Sequence, residues 1–267
     1  MIPANTKYDF VMPIGAECFV ALNLDRLRLR TFSIPFDWAG GQPFNSLFAM
    51  FVKGFPNFLV QENLKLHLSI LSGLHRGDAY LDTQTQFLFP HDFPTGVPLE
   101  KSFPVVKAKY DRRIARLHKK FLSAKRVLIL HIETPISHLS RPTDADLVSA
   151  AAAAAAKYPN AAIDLLYIAH SPDMPSGKVT WKPLNERTLY ASINVAAPTP
   201  KDVLYLNTSS IQAALRHVSL KNYWLHRTFT AFKIFQKRTA RAIKCEKMRN
   251  GRLYTRILGF YFEKKSS

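Results

Sequence analysis

The sequence predicts an α/β (α+β) protein with a mixed β-sheet and flanking helices. Three observations carry this. Short, strongly apolar runs such as "KRVLILHIE" and "AAIDLLYIAH" read as buried strands. Longer segments repeat apolar residues at helical spacing, as in "PVVKAKYDRRIARLHKKFLSA". From Lys125 to His170 these alternate as strand, helix, strand, the parallel crossover unit.

Taken in order, "YDFVMPIG" (Tyr8 to Gly15) is a short buried strand that ends at a glycine turn. "ECFVALNLDRLRL" follows with Phe19, Leu22, Leu27 and Leu29 roughly on one helical stripe. "TFSIPFDWAGG" is a loop punctuated by proline and glycine. "PFNSLFAMFVKGF" is a second apolar helix, capped near Asn45 and stopped at Gly54. In "AYLDTQTQFLFPHDF" the alternation of Gln84, Gln86 and Leu88 with Thr85, Phe87 and Phe89 predicts a strand that Pro90 closes. A basic amphipathic helix comes next, with Val106, Tyr110, Ile114, Leu117 and Phe121 on one side. "TDADLVSAAAAAAAKYPN" is a helix capped by Thr143 or Asp144. Its alanine run needs no special function, because alanine is the best helix former. "VTWKPL" and "DVLYLN" are candidate further strands.

With 267 residues the chain is long enough for one sizeable core, or one domain plus an appendage. Two cysteines, Cys18 and Cys245, give neither a disulfide framework nor a multi-cysteine metal site, and no metal or cofactor is expected. The first residues lack the basic-then-apolar pattern of a secretory signal, and no run reaches about 18 uninterrupted apolar residues. The expected setting is a reducing, cytoplasmic one, with the option of a peripheral place on the cytosolic side of a membrane.

The net charge of +18 is uneven. From Arg216 to Ser267 there are fourteen Lys or Arg against two acids, so this tail holds twelve of the eighteen excess charges. The composition therefore divides the chain into an α/β domain over residues 1–215 and a basic extension over 216–267. Leu225, Phe229, Phe232 and Phe235 interleave with Lys and Arg from about Ser219, which predicts a basic amphipathic helix up to about Arg249. Asn250-Gly251 is a break or hairpin turn, and "RLYTRILGFYFE" beyond it is strand-like. Three uses of this tail are open: it covers the core, it lies on an anionic membrane surface through residues 219–256, or it meets another polyanion. Specific nucleic-acid binding has the least support, since no zinc finger, aromatic RNA-binding motif or helix-turn-helix pattern is present.

Cys18 carries the main chemical question. It falls where a strand-turn enters a helix. There the free N–H groups and the dipole of the first turn favour a thiolate and can receive an oxyanion. A buried apolar cysteine is the other reading of the same position. Glu17 beside it raises a thiol pKa unless its carboxylate points away. Cysteine catalysis also needs a base. His67, His75, His118, His217 and His226 lie in polar or basic segments and read as surface residues. His131 and His170 end apolar strands and either line a cleft or sit partly buried with one hydrogen bond. His91 stands between two prolines in "FPHDFP", where the backbone is rigid.

The blocks "IGAECFVALNLDRLRLRTFSIPFDWAG" (Ile14 to Gly40), "FPHDF" (Phe89 to Phe93) and "YDRRIARLHK" (Tyr110 to Lys119) resemble a bacterial family described as papain-like cysteine peptidases. The resemblance covers roughly the first 135 to 170 residues. It implies a papain-like core with a cysteine-then-histidine order, so that Cys18 is the nucleophile and His91 the general base. The substrate is then an unidentified peptide, amide or ester. For the third group, Asp37 of "PFDW" either orients His91 or bonds the backbone of its own loop, and Asp92 is a second-sphere or turn-forming acid. The implied function is a cysteine-dependent hydrolase or acyltransferase. Its alternative is an inactive scaffold that binds an anionic surface through the basic tail.

Overall fold

Four parallel strands and one antiparallel edge strand form the main sheet: β2 (Phe10–Pro13), β6 (Arg126–Ile132), β7 (Ala162–His170), β9 (Thr188–Ile193) and β8 (Thr180–Pro183), side by side in that order. They belong to a computed structural model that describes residues 6–15, 17–38, 40–70, 77–135, 139–196 and 207–221, together with the backbone of strands at 245–249, 252–257 and 260–263. The chain divides into two units, Met1–Lys221 and Asn222–Ser267.

The near-continuous apolar runs of β6 and β7 follow from burial on both faces. Val127 and Ile129 of β6, with Ile163, Leu165 and Tyr167 of β7, join one core with helices α2 (Phe44–Lys53), α3 (Leu99–Ser123) and α4 (Asp144–Lys157). Leu128, Leu130 and Ile132, with Leu166 and Ile168, join a second core with α1 (Glu17–Arg26) and α5 (Thr208–Leu215). The first unit is thus a sheet between two helical layers, a mixed α/β fold. At its edge β1 (Thr6–Tyr8) pairs in parallel with β10 (Val218–Leu220).

A second, antiparallel sheet is made of β3 (Leu64–Ile70), β4 (Gly77–Asp82) and β5 (Leu88–Phe93). Phe89 and Phe93 of β5 enter the same core as α2 and α3. The strand expected to end at Pro90 in fact begins at Leu88 and runs through Pro90. Residues 83–85 are a turn, because the Asp82 carboxylate accepts the N–H of Gln84 and of Thr85, both at 3.0 Å. Pro90 is tolerated in the outermost strand of its sheet, at a bulge.

Caps match the sequence in part. Gly54 ends α2 with φ +83°, a left-handed conformation that glycine adopts freely. Thr143 caps α4: its hydroxyl accepts the Asp146 N–H at 3.1 Å and Asp146 returns a bond to the Thr143 N–H at 2.8 Å. The N-cap of α2 is Pro43, two residues before Asn45.

The second unit contains an antiparallel meander, β11 (Cys245–Arg249), β12 (Arg252–Ile257) and β13 (Phe260–Glu263). The expected amphipathic helix is therefore corrected at both ends. Ser219 and Leu220 lie in β10, and Cys245–Arg249 is strand. Arg249 pairs with Arg252 across the two residues Asn250-Gly251, the strongest short hairpin signal a sequence offers, and that pairing overrides the helical spacing before it. Residues 222–244 and 202–206 lie outside the described residues, and with them the rest of that helix and most of "DVLYLN". No helix among the described residues is long and apolar enough to cross a membrane.

Candidate functional site

Cys18 follows directly from the end of the first long parallel strand. The Ile14 N–H donates to the Leu130 carbonyl at 2.8 Å, which carries the β2 pairing one residue past Pro13. Gly15 then turns the chain in a space too small for a side chain: an added Cβ would lie 3.2 Å from Val20 Cγ2 and 3.4 Å from His131 Nδ1. Two residues later α1 begins, and Cys18 is its second residue, a buried cysteine 9% exposed. The thiol thus sits in the first helical turn, where N–H groups lack intrahelical partners and the dipole favours negative charge. This is also the carboxyl end of the parallel strands, where open α/β sheets hold their ligands. The side chain of Glu17 lies outside the described residues.

His91 owes its position to an irregularity. Phe89 pairs with Tyr80 and Phe93 with Asp78, so Pro90, His91 and Asp92 together stand opposite Ala79 alone. Such a bulge breaks the alternation of the strand and re-aims its side chains. The half-buried His91 ring meets the Trp38 ring edge to face, with centroids 5.9 Å apart and planes at 89°. Trp38 is held there because Gly40 and Leu88 exchange backbone hydrogen bonds of 3.0 Å, pinning the "PFDW" loop to β5.

Asp37 ends a 3-10 turn, Pro35–Asp37, and is 2% exposed. Its Oδ2 accepts from Arg30 Nη2 at 2.5 Å, Arg30 Nε at 3.2 Å and the Ile34 N–H at 2.9 Å. Burial pushes the carboxyl up, and the Arg30 guanidinium is the main force pulling it back. One of these three bonds comes from a backbone N–H of its own loop and two from Arg30. Its Oδ1 has no partner among the described residues. Asp92 accepts from Lys109 Nζ and from the Tyr110 hydroxyl, the latter at 2.5 Å, and so ties β5 to α3. Burial, with the Asp92 charge beside it, pushes the Tyr110 phenol well up, so it stays a neutral donor.

The quoted sequence blocks therefore converge. Helix α1 packs on the 3-10 turn, and α3 packs on both that turn and β5. Arg116 Nη2 of α3 donates to the Ser33 carbonyl at 2.6 Å, and the Arg116 guanidinium lies over the Phe32 ring.

A second polar centre lies at the carboxyl ends of β6 and β7. The buried Glu133 accepts from the Tyr167 hydroxyl at 2.6 Å, the His170 N–H at 2.8 Å and Arg141 Nη2 at 2.8 Å. His131 is buried, bonds the Ile14 carbonyl through Nδ1 at 2.6 Å and stacks on Tyr167 with planes 5° apart. Sequence reading reached His131 and His170 but missed Glu133, Arg141 and Tyr167. The available signal was polar residues placed at the ends of otherwise apolar strands. No group of three or more His, Cys, Asp or Glu is arranged to hold a metal ion among the described residues.

The fold and the cysteine define a class: a mixed α/β protein with a thiol at the helix start beyond its first parallel strand. The chain belongs to the family described as "Putative papain-like cysteine peptidase (DUF1796)", whose model matches residues 9–171. It is also 28% identical over 180 residues to "Uncharacterized protein R408" of Acanthamoeba polyphaga mimivirus, covering 61% of this chain and 78% of that protein. No solved structure matches it significantly.

Proposed function

We propose that this protein is a cysteine-dependent hydrolase or acyltransferase. The observation that carries the reading is Cys18 in the first turn of α1, at the carboxyl end of the parallel strands. In this reading His91 takes the thiol proton as the Cys18 sulfur attacks an amide or ester carbonyl. The carbonyl electron pair moves onto oxygen, and the free N–H groups of the first helical turn receive that oxyanion. The oxyanion then collapses, the bond to the leaving group breaks, and His91 returns the proton to the departing amine or alcohol. Water or an acceptor amine next attacks the thioester, and the thiol is regenerated. Asp37 serves this arrangement as a positioning residue: it holds the loop whose Trp38 faces His91. The family description supports the cysteine chemistry, and the reducing compartment expected for the chain suits a thiol nucleophile.

Alkylation of Cys18 by iodoacetamide as a function of pH, in a Cys245→Ala background, tests this directly. The expected apparent pKa is well below the ordinary value of about 8.5, and His91→Ala raises it. A thiol that stays unreactive in the native protein, yet alkylates on unfolding, sinks the enzyme reading. It would leave a scaffold whose work is done by the basic segment.

A further inference from the structure

A cavity of about 80 Å³ opens at the carboxyl ends of β6 and β7, and nothing in the proposed chemistry of Cys18 uses it. His131, Glu133, Thr134, Arg141, Tyr167 and His170 line it. Thr134 is 3% exposed, and its hydroxyl has no partner among the described residues. A buried hydroxyl left unbonded costs about 1–3 kcal/mol, so it is a standing demand for a ligand atom or a water.

The other groups define what that ligand is. Ile14 offers a carbonyl, which only accepts, so His131 carries its proton on Nδ1 and keeps the Nε2 lone pair as an acceptor. His170 is the reverse. Its Nδ1 accepts the Val195 N–H at 3.3 Å, so its proton is on Nε2, a donor. Burial holds both imidazoles down and therefore neutral near pH 7. Glu133 already accepts from three donors, two of them on Oε2, and keeps one acceptor position on Oε1. Among the described residues Arg141 bonds through Nη2 alone, to Glu133 and to the His170 carbonyl at 2.7 Å. Its half-exposed guanidinium keeps Nη1 and Nε for an anion at the mouth. The walls thus supply acceptors at His131 and Glu133, a donor at His170, hydroxyls at Thr134 and Ser140, and one cation at Arg141.

We propose that this cavity binds a small hydroxycarboxylate, its carboxylate on Arg141 and its hydroxyl between His131 and Thr134. The floor of the cavity is firm, because Tyr167 is clamped by Glu133 and stacked on His131. Gly15 abuts His131, so the cavity shares a wall with the turn that leads into Cys18. Binding itself does not depend on any reaction at that cysteine.

Glycolate and acetate, equal in charge and differing by one hydroxyl, are the probes. With ring-¹⁵N-histidine-labelled full-length protein, glycolate shifts the His131 and His170 resonances saturably, and acetate binds about tenfold more weakly. Thr134→Val, which keeps the shape and removes the hydroxyl, lowers glycolate affinity about tenfold and leaves acetate unchanged. Arg141→Gln abolishes the response to both. Absence of saturable shifts with glycolate overturns the proposal, as does equal affinity for the two probes that Thr134→Val does not alter. No turnover is measured, so failure here is separate from failure of the thiol experiment.

Discussion

His131 is 5% exposed in the folded chain, and burial pushes its imidazole down to about 4. In the unfolded chain the ring takes up a proton near its ordinary value of about 6.5. Between those two values the unfolded state binds more protons, so stability rises with pH across that window. The contribution is complete above about pH 6.5 and is lost as pH falls toward 4, an effect on the order of 3 kcal/mol. Urea unfolding of the wild type from pH 7.5 to 4.5 should therefore show a decline that His131→Phe reduces, since phenylalanine keeps an apolar ring and removes the titration. Identical pH profiles for the two proteins would show that His131 is not the group responsible. At this same scale Asp37 illustrates what a sequence leaves open. "PFDW" marks an acid in a rigid loop, and only the folded chain shows that Arg30, seven residues earlier, claims its carboxylate.

Among the elements, β5 is the one whose irregularity matters to the site. Its three-against-one bulge opposite Ala79 presses close to Gly77, where an added Cβ would lie 2.9 Å from the Phe93 carbonyl oxygen. Backbone cannot yield there as a flexible side chain does. Gly77→Ala should cost about 1–3 kcal/mol in urea or thermal unfolding. It should also shift the Trp38 fluorescence, because β5 carries the pinned loop. An unperturbed midpoint would mean that the bulge is softer than its contacts indicate. The elements legible in the sequence were those whose burial pattern is unambiguous: β6 and β7 with both faces covered, α3 with its apolar stripe, and α4 with its alanine run and Thr143 cap. β3 was missed because Lys65, Leu66 and His67 are all exposed and show no buried alternation. β9 was missed because "TLYASI" is short, and its partner β7 supplies much of what defines it. The last stretch of basic sequence failed in the opposite sense: its spacing fits a helix, and cross-strand pairing with β12 decides for β11.

For the whole molecule, the shift in charge near Arg216 places a boundary six residues before the structural one. Val218–Leu220 pair with β1 in a two-stranded sheet of the first unit, the Lys221 N–H donates to the Tyr8 carbonyl at 2.7 Å, and Lys221 Nζ pairs with Asp9 at 3.2 Å. Burial works against the Asp9 charge, but the Arg126 and Lys125 backbone N–H groups and Lys221 outweigh it and hold that carboxyl below its usual range. A chain ended after Lys221 is expected to unfold cooperatively, with a midpoint near that of the full-length protein. One ended after Leu215 loses β10, bares the edge at β1, and should unfold at clearly lower urea. Equal midpoints for the two truncations would show that β10 contributes nothing.

The pairing of β1 with β10 also has a kinetic meaning. Thr6 and Val218 lie side by side, yet more than two hundred residues separate them along the chain. Contacts of that range cannot form early, since closing so large a loop is entropically uphill until intervening strands have aligned. During synthesis the amino-terminal strand leaves the ribosome first and waits for almost the entire unit before its partner appears. For that interval its outer edge is an unpaired template, of the kind that recruits other chains. The last strand of the first unit to be made is thus the partner of the first.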